Sequence, residues 1–163
     1  ATTNNLLLQI QSDIFDCART GTVEEMEMFF TTNPKSVDAL NDRGSSPLTL
    51  AAYYNNLEVA KYLIQKVDNI NGNSKDGTPL MAAVVKGHTE IAKALIGAGA
   101  DPNLTDANGA TALHYAVLFN NQELVSLLMD ANASAFMKND GGQSPLDFAK
   151  MHNDKTLNSI LKN

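Results

Sequence analysis

The chain has 163 residues and a formal net charge of −6, with 44% hydrophobic and 18% charged residues, which excludes a disordered chain. Its one cysteine, Cys17, excludes an intramolecular disulfide and a zinc site made of several thiolates. Since Lys and Arg are scattered singly and no run approaches ~20 apolar residues, the sequence predicts neither nucleic-acid binding nor a membrane span.

The first predicted elements are a leading segment and a helix pair. Residues 1–8 are expected to form a leading arm or a short helix, because three consecutive leucines there favour docking onto the domain. Residues 9–40 are expected to form two helices separated by Gly21. Apolar residues at helical spacing support the pair: Ile14, Phe15, Cys17 and Ala18 before the glycine, and Val23, Met26 and Phe29 after it.

A seven-residue motif then recurs four times along the chain. Each copy begins with Ser or Thr and has Leu in third place, and Pro is second in every copy but one. The copies span residues 46–52, 78–84, 111–117 and 144–150, so their second residues lie 32, 33 and 33 positions apart. A period of this size indicates a repeat protein.

Each motif predicts the start of a helix. The Ser or Thr hydroxyl accepts from free N–H groups, and Pro at the first helical position loses no hydrogen bond. About ten residues further on a second apolar run begins, as at Ile91 and Leu95, and Gly97 ends it. Asp-Ala-Asn-Gly at 106–109 predicts a turn at the tip of a projecting loop. A unit of turn, helix, tight turn and helix buries its apolar face only by stacking on its neighbours.

These motifs resemble the ankyrin repeat, a unit of 33 residues that opens with Thr-Pro-Leu-His. Gly-His-Thr-Glu-Ile-Ala at 87–92 is a near-complete match, and the resemblance covers roughly residues 9–163. It implies an all-α fold, a solenoid of stacked helix-turn-helix units with projecting β-turn loops, as a single domain over 1–163. The implied repeats are approximately 9–40, 41–73, 74–105, 106–137 and 138–163, and the two terminal ones are atypical.

No catalytic or ligand chemistry is predicted. His88 and His114 lie where the ankyrin pattern has histidine, whereas His152 departs from it and is expected to face the binding side. The glycines at 97 and 99 lack the third glycine of a dinucleotide motif, and the pair at 72 and 77 lacks the lysine of a phosphate loop. We therefore expect no enzyme activity, no cofactor and no metal site.

The resemblance places partner contacts on the concave face, just before the turn between helices and at the loop tips. Large apolar residues occupy the pre-turn positions although the fold does not require them there, and such residues are enriched at interfaces. The alternative is that one member of each pre-turn pair packs into the core. The predicted pre-turn contacts are Tyr53, Tyr54, Lys86, Leu118, Phe119, Met151 and His152. The predicted loop-tip contacts are Arg43, Lys75, Asn108, Asp140 and Gln143.

Two functions remain open at this stage. The chain is expected to be an interaction module that binds a partner protein, or else a dedicated inhibitor or self-protection protein that blocks the active site of a partner enzyme. We expect a monomer when it is free of its partner. A cytoplasmic location is the default expectation, and a signal peptide ahead of Ala1 would make the chain exported or periplasmic.

Overall fold

The computed structural model describes residues 13–72 and 74–162, and over these ranges the chain is helical. None of the described helices is long and apolar enough to cross a bilayer. The described part contains no strand, only an isolated bridge between Ser74 and Gly77. The arm predicted for residues 1–8 lies outside the described residues. The α-helices are α1 (Ile14–Thr20), α2 (Val23–Thr32), α3 (Pro47–Tyr53), α4 (Leu57–Lys66), α5 (Pro79–Lys86), α6 (Thr89–Gly97), α7 (Ala112–Leu118), α8 (Gln122–Asp130), α9 (Pro145–His152) and α10 (Lys155–Lys162), with a 3₁₀ helix at Pro34–Asp38 after α2.

The recurrent motifs begin helices, as predicted. The residue before α3, α5, α7 and α9 accepts a hydrogen bond through its side-chain oxygen from the backbone N–H three residues further on. Pro occupies the first turn of α3, α5 and α9. The capping oxygens, with their distances to that N–H, belong to Ser46 (3.1 Å), Thr78 (3.2 Å), Thr111 (3.4 Å) and Ser144 (3.1 Å).

The helices form five consecutive pairs that stack in two rows. The first row is α1, α3, α5, α7 and α9, and the second row is α2, α4, α6, α8 and α10. Each helix packs against the neighbouring helices of its own row and against its pair mate. Buried alanines in the first row allow close helix approach: Ala51, Ala83, Ala116 and Ala149. Buried leucines at matching positions of the second row fill the other layer: Leu63, Leu95, Leu128 and Leu161.

The loops between pairs are tied to one another. The backbone N–H of Ala107 donates to Lys75 O at 3.0 Å, and that of Asp140 donates to Asn108 O at 2.9 Å. Gly109 adopts a φ of 74°, a left-handed conformation that favours glycine. The last three loops, at 74–77, 106–110 and 139–143, are therefore held against one another in a row.

Candidate functional site

A groove of about 690 Å³ lies where the loops meet the first-row helices. No residue of a second-row helix lines it, so the groove lies on the side of the stack formed by the first-row helices and the loops. Its floor and rim mix apolar, aromatic and charged side chains. The lining residues are Arg19, Asn41, Arg43, Ser45, Thr49, Leu50, Tyr53, Tyr54, Asp76, Thr78, Met81, Ala82, Val85 and Tyr115.

The large pre-turn side chains are exposed, and two of them, Tyr53 and Tyr54, line the groove. They lie at the carboxyl ends of first-row helices, where the chain turns into the second row. Their exposed fractions are 41% for Tyr53, 52% for Tyr54, 41% for Leu118, 57% for Phe119 and 62% for Met151. None of the five is a core residue, in contrast to the alternative weighed above. Together they are called the apolar stripe.

The third helix pair interrupts the apolar stripe. Its pre-turn positions carry Val85, which is half-buried and lines the groove, and Lys86, which is exposed. The Lys86 ammonium lies 5.1 Å from the ring centre of Tyr53. This lysine therefore connects the aromatic part of the stripe to the next unit through a cation–π contact.

Two tyrosines of the stripe contact each other and two neighbouring cations. The rings of Tyr53 and Tyr54 meet edge to face, with centres 5.1 Å apart. The guanidinium of Arg19 lies 5.9 Å from the ring centre of Tyr54 and forms an ion pair with Asp16 at 2.7 Å. The rings are thus held by contacts with helix α1 on one side and with Lys86 on the other.

The loop-tip residues predicted as contacts are all exposed. Arg43 lines the groove together with Tyr53 and Tyr54, so the structure brings these three residues together. The other four tip residues lie further along the edge of loops and do not line this groove. They are Lys75, Asn108, Asp140 and Gln143.

The three histidines differ in their surroundings. His114 is fully buried and hydrogen-bonded within the motif, and His88 contacts Tyr53 O through Nε2 at 3.1 Å. His152, predicted to face the binding side, is half-buried, and its Nε2 is enclosed without a partner among the described residues. No group of three His, Cys, Asp or Glu residues in 13–72 or 74–162 is arranged to hold a metal ion.

Sequence reasoning missed a hydrogen bond at the groove. The Tyr115 hydroxyl donates to the Asp106 carboxylate, which joins helix α7 to the loop before it. Burial, together with the hydrogen bond to Asp106 and its charge, raises the pKa of Tyr115 to about 12. Tyr115 therefore stays neutral and fixes the carboxylate in place. The only signal in sequence was a tyrosine in the helix that follows an acidic turn residue.

Cys17 lies in α1 and packs in the core rather than in the groove. Burial, with the nearby charge of Glu25, raises the pKa of its thiol from 9.0 to about 12.

Because the thiolate is the reactive form, we expect a disulfide reagent at about pH 8 to label Cys17 in the folded protein roughly a thousandfold more slowly than in the unfolded one. The folded rate should rise as the pH increases from 9 towards 12. Equal labelling rates with and without urea would contradict the buried placement.

Consecutive helix pairs stacked in two rows define a helical repeat protein. A sequence model described as "Ankyrin repeats (3 copies)" matches residues 14–106 and 93–163, which together are most of the chain. The chain therefore belongs to the ankyrin-repeat family, and both the resemblance and the all-α solenoid fold predicted from sequence are confirmed.

Several curated proteins are similar to this chain. Ankyrin repeat and SAM domain-containing protein 6 of Rattus norvegicus is 35% identical over 102 residues, covering 61% of this chain and 12% of that protein. Palmitoyltransferase akr1 of Neurospora crassa is 31% identical over 108 residues, covering 65% and 15%. NF-kappa-B inhibitor alpha of Homo sapiens is 38% identical over 81 residues, covering 46% and 25%. The chain thus spans a quarter or less of the length of each of these relatives.

Proposed function

We propose that this chain is a non-catalytic interaction module that binds a partner protein through its concave face and loop tips, and that it is a monomer when free. Ankyrin repeats are generally protein–protein interaction modules, although some relatives of this chain, such as the palmitoyltransferase, are enzymes by name. The observation that carries the proposal is the exposure of all five residues of the apolar stripe, two of which, Tyr53 and Tyr54, line the groove. Large exposed apolar and aromatic residues in a row are typical of interface cores.

Photo-crosslinking tests which face binds. We expect p-benzoylphenylalanine in place of Tyr54 to crosslink a partner from native extract, because that side chain lies in the groove. The same substitution at Phe136 is the matched control, since Phe136 is 70% exposed but lies in the loop that leaves the second-row helix α8. The products are compared by gel electrophoresis and mass spectrometry. Identical products from the two positions would contradict binding through the concave face.

A second candidate function is inhibition of a partner enzyme. It is favoured by the loop tips at 74–77, 106–110 and 139–143, which backbone hydrogen bonds join to one another and which project as an active-site inhibitor requires. One relative, NF-kappa-B inhibitor alpha, is an inhibitor by name. We expect an activity assay of the partner that crosslinking identifies to distinguish the two functions. Loss of its enzymatic activity on titration with this chain supports inhibition, whereas unchanged activity in a stable complex supports a scaffold.

A further inference from the structure

The groove has a charge that differs from that of the whole protein. The chain carries 18 acidic and 12 basic residues. The ionisable groups with formal charge that line the groove are Arg19, Arg43 and Asp76, and the ammonium of Lys86 lies beside it over Tyr53. The groove lining therefore has two cations and one carboxylate, a formal charge of +1, in a molecule whose net charge is −6.

Two of these cations, Arg43 and Lys86, have no carboxylate partner among the described residues. No carboxylate among residues 13–72 and 74–162 lies within 4 Å of the Arg43 guanidinium or of the Lys86 ammonium, whereas Arg19 is paired with Asp16. The nearby Asp106 carboxylate is already engaged. Its Oδ1 accepts from the N–H groups of Asn108 and Ala110, and its Oδ2 accepts from Tyr115.

Each ring of the tyrosine pair has one cationic group beside it. Cations lie over one ring face of each tyrosine, at 5.1 Å for Lys86 and 5.9 Å for Arg19. A cationic ligand would meet like charge there, while a carboxylate would meet the ammonium of Lys86 and the fork of Arg43 donors. The donor-rich end of the concave face is therefore suited to acceptors with negative charge.

The apolar stripe continues beyond the tyrosine pair with exposed side chains that carry no charge. Leu118 and Phe119 are two units along the stack from the tyrosine pair, and Met151 follows in the next unit. Helices pack roughly 8–10 Å apart, so the tyrosines and Phe119 are separated by roughly 20 Å. An extended peptide covers that distance with about six residues.

We propose that the concave face binds an extended segment of its partner that carries Asp or Glu at one end and apolar side chains at the other. The carboxylates lie against the tyrosine pair, within reach of Arg43 and Lys86, and the apolar side chains pack on Leu118 and Phe119. This inference rests on the proposed function of the concave face and adds the chemistry of the ligand. A nucleic acid is disfavoured, because an extended phosphate backbone would be repelled by a protein of net charge −6.

A displayed library of random twelve-residue peptides tests the proposal. Selection on the wild-type chain is expected to enrich sequences that combine Asp or Glu with large apolar residues about six positions away. The affinity of an enriched peptide is then measured by fluorescence anisotropy, and we expect the double variant Arg43→Glu/Lys86→Glu to bind it at least tenfold more weakly. The neutral variant Arg43→Gln/Lys86→Gln is expected to bind the peptide with an affinity between those of the wild type and of Arg43→Glu/Lys86→Glu.

The matched control has the same change of net charge elsewhere. Lys61 in α4 and Lys155 in α10 are exposed and lie in the second row, so Lys61→Glu/Lys155→Glu should bind the peptide as the wild type does. Far-UV circular dichroism checks that each variant is folded.

Three results would overturn the proposal. The first is enrichment of apolar peptides without carboxylates, the second is an equal loss in the control variant, and the third is tighter binding of a twelve-residue single-stranded DNA than of any selected peptide. Any of these results would contradict the proposed ligand chemistry but not the proposed function. Crosslinking at Tyr54 tests that function separately, because it does not depend on the charge of the partner.

Discussion

The double substitution Tyr53→Ala/Phe119→Ala is expected to weaken partner binding by close to a thousandfold. Side chains of this kind at the centre of an interface each contribute roughly 2 kcal/mol or more, and about 4 kcal/mol corresponds to nearly three powers of ten in Kd. Both side chains are about half exposed, so their removal leaves the buried core intact. Calorimetry measures the affinity of the variant for the partner that crosslinking identifies. The thermal unfolding midpoint of the variant checks that it is folded.

Phe136 provides the control for this experiment. It is more exposed than Phe119, at 70% against 57%, but it lies in the loop after the second-row helix α8 rather than at a pre-turn position. Phe136→Ala is expected to leave the affinity within about threefold of the wild type, since isolated exposed apolar residues are common on protein surfaces. A loss of similar size in both variants would show that exposed phenylalanine, rather than the apolar stripe, determines binding.

The fold could be predicted from sequence because its rule is local and repeated. Ser46, Thr78, Thr111 and Ser144 cap helices through bonds to residues three positions away, so the evidence for each helix start lies within a few residues. The period of 32 or 33 residues then aligns the helices into rows. Buried Ala51 and Ala83, for example, lie at the same position in successive units.

The site could be predicted only in part, for a physical reason. Repeat register identified the exposure of Tyr53, Leu118 and Phe119, because the pre-turn position is the same in every unit. It did not identify the contacts between units. The contacts of Arg19 with Tyr54 and of Lys86 with Tyr53 depend on side-chain directions that no periodic pattern specifies.

The substitution His114→Ala is expected to lower the free energy of unfolding by about 3 kcal/mol. The Thr111 N–H donates to His114 Nδ1 at 3.0 Å, so Nδ1 is an acceptor, and Nε2 carries the proton that is donated to Gln143 O at 2.9 Å. The ring also packs edge to face on Phe148, with centres 5.3 Å apart. Alanine would leave the buried Thr111 N–H without its partner and would create a cavity, while Gln143 O would keep only the bond from the Asn139 N–H. A buried group left unpaired costs about 1–3 kcal/mol, and the cavity adds to that cost.

His88→Ala is the natural comparison, because His88 is the other histidine of the repeat pattern. It is partly exposed and makes one hydrogen bond, to Tyr53 O, so its loss should cost about 1 kcal/mol or less. Urea unfolding followed by circular dichroism measures both values. Equal costs would contradict the assignment of His114 as a buried connection between units.

The position of His114 also predicts where the stack weakens. Its bond to Gln143 and its contact with Phe148 join the fourth helix pair to the fifth. In a repeat protein each unit is stabilised mainly by its neighbours, so loss of this connection should destabilise the terminal pair first. Hydrogen exchange followed by mass spectrometry should therefore show faster exchange in α9 and α10 of His114→Ala than in α3 and α4. Uniformly faster exchange over all five pairs would instead mean that the stack unfolds as one cooperative unit, and that the free energy lost at this one connection is shared by every helix pair.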